Sequence, residues 1–63
     1  MAKIRVLVVD DSIVFRETLK RLIDRDIFME VVGTATDAFD AEKKIDELKP
    51  DVITIDNEMP RMN

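Results

Sequence analysis

The chain has 63 residues and a formal net charge of −4, with neither cysteine nor histidine. That leaves room for one small domain, burying about 60% of the surface its unfolded chain exposes. It excludes disulfides, thiolate metal sites and Ser-His or Cys-His catalysis, and the acidic balance argues against direct nucleic-acid binding.

No apolar run approaches the ~20 residues of a membrane span. Met1-Ala2-Lys3 leads straight into a strand pattern without the apolar core of a signal peptide, so a soluble cytoplasmic protein is expected. The first element is Ile4-Arg5-Val6-Leu7-Val8-Val9, a near-continuous apolar run. Unbroken β-branched residues predict a strand buried on both faces, as in a parallel sheet. Asp10 and Asp11 gain nothing inside such a strand and belong at its C-terminal end, the edge where open α/β sheets bind ligands.

Ser12 or Asp11 is placed to cap a helix over Ile13–Arg25. Val14, Phe15, Thr18, Leu19, Leu22 and Ile23 recur at helical spacing as its apolar stripe, with Arg16, Glu17, Lys20 and Asp24 largely opposite. A second strand is expected at Glu30–Ala35, where Gly33 marks its end or a close backbone approach. Thr36 or Asp37 caps a second helix over Ala38–Leu48, burying Ala38, Ala41, Ile45 and Leu48 and leaving Phe39 exposed. Lys49-Pro50 stops it, because the residue before proline avoids helical geometry. Val52-Ile53-Thr54-Ile55-Asp56 is the third strand, ending again in a carboxylate, and Asn57 to Asn63 is loop.

The fold class is therefore α/β, a βαβαβ unit. Right-handed crossovers give a parallel strand order of 2-1-3. The first and third strands are then neighbours, and Asp10, Asp11 and Asp56 share one edge. Adjacent strands lie about 4.8 Å apart, and carboxylates crowded at that range retain a proton or bind a cation. With only oxygen donors available, a hard cation such as Mg²⁺ fits. A phosphoryl group arriving there would meet Asp56 as nucleophile, giving an aspartyl-phosphate. The plainer reading of any one of these residues is a helix cap or turn. The three together, on neighbouring strands, make the functional one.

Val-Leu-Val-Val-Asp-Asp-Ser, Val-Val-Gly-Thr-Ala and Lys-Pro-Asp-Val-Ile-Thr-Ile-Asp-Asn-Glu-Met-Pro-Arg-Met resemble the receiver domain of two-component response regulators. Among receivers they are most similar to the chemotaxis type, especially the regulatory domain of the chemotaxis methylesterase. The likeness runs from about Lys3 to Met62 and implies a flavodoxin-like fold. It implies Asp56 as phosphoacceptor, with Mg²⁺ held by Asp10 or Asp11, by Asp56 and by the backbone carbonyl of Glu58. The donor it implies is a phosphohistidine on a sensor histidine kinase. It does not imply an enzyme: a methylesterase domain would lie outside these residues.

The departures carry expectations too. Receivers have five strands and about twice this length, so residues 1–63 correspond to the N-terminal half, strands one to three and helices one and two. Asn63 stands where Asp is usual and Ala38 where Gly is common. The fourth-strand hydroxyl and fifth-strand lysine of receivers have no counterpart, so Mg²⁺ binding is expected to be weak and phosphorylation of Asp56 slow or absent. The third strand would present Val52, Ile53 and Ile55 on a bare edge, a template for pairing. A homodimer through that edge, or by exchange of an element, is expected. The competing class is a homo-oligomeric structural unit with no chemistry. A dehalogenase-type hydrolase is disfavoured because Ser12 stands where that family needs a second Asp.

Overall fold

A computed structural model describes residues 2–55. The elements follow as β1 (Ile4–Val9), α1 (Ile13–Asp24), β2 (Met29–Ala35), α2 (Ala38–Leu48) and β3 (Val52–Ile55). The sheet is parallel with order β2-β1-β3, as the alternation of strands and helices predicts. The two crossovers run in opposite directions along the sheet, so right-handedness in both puts α1 and α2 on opposite faces.

β1 is the centre. Val6, Leu7, Val8 and Val9 are between 0% and 3% exposed, which is why the run carries no polar residue until it ends. Leu7 and Val9 pack with Ala35 and Ala41, and Leu48 closes against them. Val6 and Val8 alternate onto the other face. Opposite β1, β2 carries a bulge: Val6 pairs with Val31 and Leu7 with Gly33, leaving Val32 extra. Gly33 lies inside β2, not at its end, and its backbone φ is not positive. It is needed for the close approach instead: a Cβ there would sit 2.6 Å from Leu48 Cδ1.

Both helices are capped as their sequences suggest. Ser12 Oγ accepts from the Phe15 N–H at 3.2 Å, and Asp37 Oδ1 accepts from the Asp40 N–H at 2.8 Å. Each satisfies one of the free N–H groups of a helix start. α2 ends with Lys49 in the left-handed region (φ 49°), its N–H donating to the Ile45 carbonyl, which turns the chain before Pro50.

The apolar stripe expected on α1 is only partly used. Leu19 and Ile23 are half-buried, whereas Val14, Phe15 and Leu22 are 71%, 52% and 55% exposed. Thr18 is exposed as well, its hydroxyl donating to the Val14 carbonyl. The helix seats the row 16, 19, 23 on the sheet, so Arg16 turns inward and not outward as its charge suggested. On α2 only Ala41 is buried and Leu48 half-buried. Ala38 and Ile45 of the expected face stay exposed, and Phe39 is 82% exposed, as its position predicts. A three-stranded sheet is too narrow to cover either stripe. Among the described residues no helix is long and apolar enough to cross a membrane.

Candidate functional site

β1 delivers Asp10 to the C-terminal edge of the sheet with the ladder still intact. The Asp10 N–H donates to the Ala35 carbonyl of β2 at 3.0 Å. The side chain follows Val6 and Val8 onto the α1 face and is 1% exposed. Its Oδ1 accepts from the Ser12 N–H at 2.8 Å, a turn that bends the chain from strand to helix. Its Oδ2 is buried and has no hydrogen-bond partner among the described residues. Asp11, the next residue, sits at the exposed tip of the turn.

A cation completes this turn from the helix side. Arg16 donates from Nη1 to the Asp10 carbonyl oxygen at 2.8 Å, while its own N–H bonds the Ser12 carbonyl at 2.9 Å. Sequence reasoning missed Arg16 because a charged residue on a short helix reads as solvated. Its position four after the Ser12 cap, one helical turn on, was the available signal.

On the other side of β1, β3 is in plain parallel register: Val6 with Val52, Leu7 with Ile53, Val8 with Thr54, Val9 with Ile55. The described part of β3 therefore stops level with the end of β1, one residue short of the Asp10 row. Asp56 and Glu58, the expected phosphoacceptor and carbonyl ligand, lie outside the described residues. Of the expected set, Asp10 and Asp11 are brought to the C-terminal edge.

The first turn of α2 adds a third carboxylate, Asp40, at this end of the sheet, held in its own network. Asp40 Oδ2 accepts from the Thr36 N–H at 3.2 Å and pairs with Lys44 Nζ at 3.4 Å. Lys44 also donates to the Thr34 carbonyl. The Thr36 N–H is the main cause that holds the Asp40 carboxyl below its ordinary range; desolvation opposes it, and Lys44 adds to the lowering.

The donors at the β1 tip are all oxygen. A buried carboxylate oxygen without a partner is costly unless something polar or cationic meets it, and hard oxygen donors suit Mg²⁺ better than softer metals. The residues therefore fit a hard divalent cation. Among the described residues no group of three acidic, histidine or cysteine side chains is assembled, since the third expected carboxylate is Asp56.

An open parallel sheet with paired carboxylates at the C-terminal end of its central strand defines a class: acidic-edge α/β modules of the receiver kind. The chain belongs to the response regulator receiver domain family, whose model matches residues 6–63. It is 52% identical over 63 residues to the protein-glutamate methylesterase/protein-glutamine glutaminase of Hydrogenovibrio crunogenus, covering 100% of this chain and 17% of that protein. To a protein-glutamate methylesterase/protein-glutamine glutaminase of Caulobacter vibrioides it is 56% identical, covering 100% of this chain and 18% of that one. The crystal structure of the response regulator domain of Thermotoga maritima CheB matches with a TM-score of 0.87 and 57% identity, over 97% of this chain and 46% of that chain. The chain thus spans under half of a solved relative and under a fifth of these curated ones.

Proposed function

We propose that the chain is a phosphoacceptor receiver module of two-component signalling, taking a phosphoryl group from a sensor histidine kinase onto Asp56 with Mg²⁺. The observation that carries this reading is Asp10: a carboxylate 1% exposed, with one oxygen unpartnered among the described residues, at the end of the central strand. A buried carboxylate oxygen without a protein partner calls for a cation or an ordered water, and a hard cation that keeps part of its water shell provides for both. Ile55, the last described residue of β3, pairs with Val9, and Asp56 is the next residue in the sequence.

In this reading the carboxylates of Asp10, Asp11 and Asp56 and the backbone carbonyl of Glu58 hold Mg²⁺. When bound, the ion offsets charge on the phosphoryl oxygens. An Asp56 carboxylate oxygen attacks phosphorus as the phosphorus–nitrogen bond of the donor phosphohistidine breaks. The electron pair stays on the imidazole nitrogen, and the acyl phosphate forms on Asp56. In this reading these 63 residues bind the ion weakly and take up the phosphoryl group slowly.

The test is incubation with Mg²⁺ and acetyl phosphate, read by intact mass. A slow, Mg²⁺-dependent gain of one phosphoryl group, lost in Asp56→Asn, supports the reading. Failure of Mg²⁺ to shift the backbone amide signals of Asp10 and Asp11 in an NMR titration refutes it.

The same chain self-associates in this proposal. Among the described residues β3 pairs only with β1, and its Val52, Ile53 and Ile55 are 45%, 38% and 58% exposed. A two-fold pair of such edges is self-complementary when the strands run antiparallel.

A further inference from the structure

Two buried side-chain oxygens lack a hydrogen-bond partner among the described residues: Asp10 Oδ2 and Thr54 Oγ1. They are neighbours. Thr54 pairs with Val8 in the parallel register, and paired residues of adjacent strands present their side chains to the same face. Asp10 lies two residues beyond Val8 and shares that face. One strand across and two residues along places their Cα atoms about 8 Å apart, from strand spacings of ~4.8 Å and rises of ~3.3 Å.

A single water joining two oxygens spans about 5.6 Å, at ~2.8 Å per bond. The reach of the two side chains, a few ångströms from each Cα, covers the remainder. Neither oxygen has a partner among the described residues, so the two make no direct bond, and an apolar filler would leave both unsatisfied. Isolated orphan oxygens are rare in native interiors, and a water with two polar partners relieves both at once.

We infer that one buried water bridges Thr54 Oγ1 and Asp10 Oδ2, and that Thr54 is a positioning residue for the Asp10 carboxylate. A carboxylate oxygen accepts, so the water donates to Oδ2. The Thr54 hydroxyl donates to the water oxygen. Asp10 is then fixed at both oxygens, by the Ser12 N–H on Oδ1 and by the water on Oδ2. The water site stands without any assumption about function. Its effect on cation binding rests on the phosphoacceptor reading above.

Thr54→Val decides the matter because the two side chains have nearly the same shape. Replacing a hydroxyl that truly has no partner stabilises a protein, whereas removing one that holds a bridging water destabilises it. In the 63-residue chain the expected result is a lower urea midpoint for Thr54→Val. The Asp10 carboxyl carbon signal in NMR moves in Thr54→Val and stays in Thr54→Ser, which keeps the hydroxyl. Mn²⁺ affinity, read by electron paramagnetic resonance, falls about threefold to tenfold in Thr54→Val and less than twofold in Thr54→Ser. A raised urea midpoint in Thr54→Val, or an Asp10 signal indifferent to it, overturns the bridge. If the parent chain binds no Mn²⁺, the phosphoacceptor reading falls, while the midpoint and the carboxyl signal still decide the water.

Discussion

Arg16 reaches back from α1 to place Nη1 2.8 Å from the carbonyl oxygen of Asp10. The helix that follows β1 is thereby strapped onto the end of the strand it leaves. Because Asp10 is buried and Arg16 half-buried, the bond forms partly out of water, where a charged donor on a carbonyl counts for more.

Arg16→Met keeps the aliphatic stem and removes the donor. Hydrogen bonds to charged groups contribute about 1.5–3 kcal/mol, and partial exposure of the guanidinium discounts that, so a loss of about 1–2 kcal/mol in unfolding free energy is expected. Urea denaturation measures it. Amide exchange at Ser12 should quicken in the variant, since its N–H rests on a turn that Arg16 braces. An unchanged midpoint together with unchanged Ser12 exchange would show that the strap contributes nothing.

Asp40 gives the chain a pH dependence of known sign. Its carboxyl is held below the ordinary 3.8 chiefly by the Thr36 N–H and then by Lys44. A carboxyl with a lowered folded-state pKa contributes stability that is fully present above its unfolded value. That stability is lost as pH falls through the folded value. The stability difference between the parent chain and Asp40→Asn should therefore be constant from neutral pH down to about pH 5. It should shrink as the pH drops below that. A difference that grows on acidification would contradict the assignment.

Gly33 is one of the places where β2 meets α2. An added Cβ would meet Leu48 Cδ1 at 2.6 Å, and that methyl is the far end of a rotatable side chain. Leu48 can swing away, but it leaves the cluster of Leu7, Val9, Ala35 and Ala41 when it does. Gly33→Ala should cost about 1 kcal/mol and Gly33→Val about 2–3 kcal/mol, as overpacked cores do. A double-mutant cycle with Leu48→Ala should show coupling, because the small partner removes the clash. Strict additivity would locate the strain elsewhere.

The strands and their order were readable, and each cap to within two adjacent residues, because each rests on local chemistry. The β-branched run of Val6 to Val9 demanded burial on both faces, and Ser12 and Asp37 stood where free N–H groups needed acceptors. The seating of the helices was not readable, since it depends on how wide a sheet they meet. Periodicity pointed to Val14, Phe15 and Leu22, yet a three-stranded sheet takes only the row containing Arg16, Leu19 and Ile23. At the site, the ends of strands placed Asp10 and Asp11 together, but their different burial turns on parity. Asp10 shares the face of Val6 and Val8 and is buried, while Asp11 lies past the strand and is exposed. Thr54 went unnoticed because a threonine within Val-Ile-Thr-Ile reads as strand propensity; only the paired register reveals its nearness to Asp10.

The edge of β3 supports the last expectation. Ile53 and Ile55 border a groove of about 170 Å³ with Val9, Ala38, Ala41, Glu42 and Ile45, nearly all apolar. Val52 adds to the exposed apolar surface of the same strand. A lone edge of this kind pairs with another chain unless a charge interrupts it. The parent chain should show an apparent mass by light scattering that rises with concentration. Ile55→Lys puts a charge on the groove-lining face of the edge strand while leaving Val9 and Leu7 in place, so helix content by circular dichroism should persist as the mass falls to that of one chain. A dimer that survives Ile55→Lys unchanged would point to exchange of an element between copies, since an exchanged strand does not depend on that edge. A parent chain that stays a compact monomer at micromolar concentration would remove edge pairing and exchange alike.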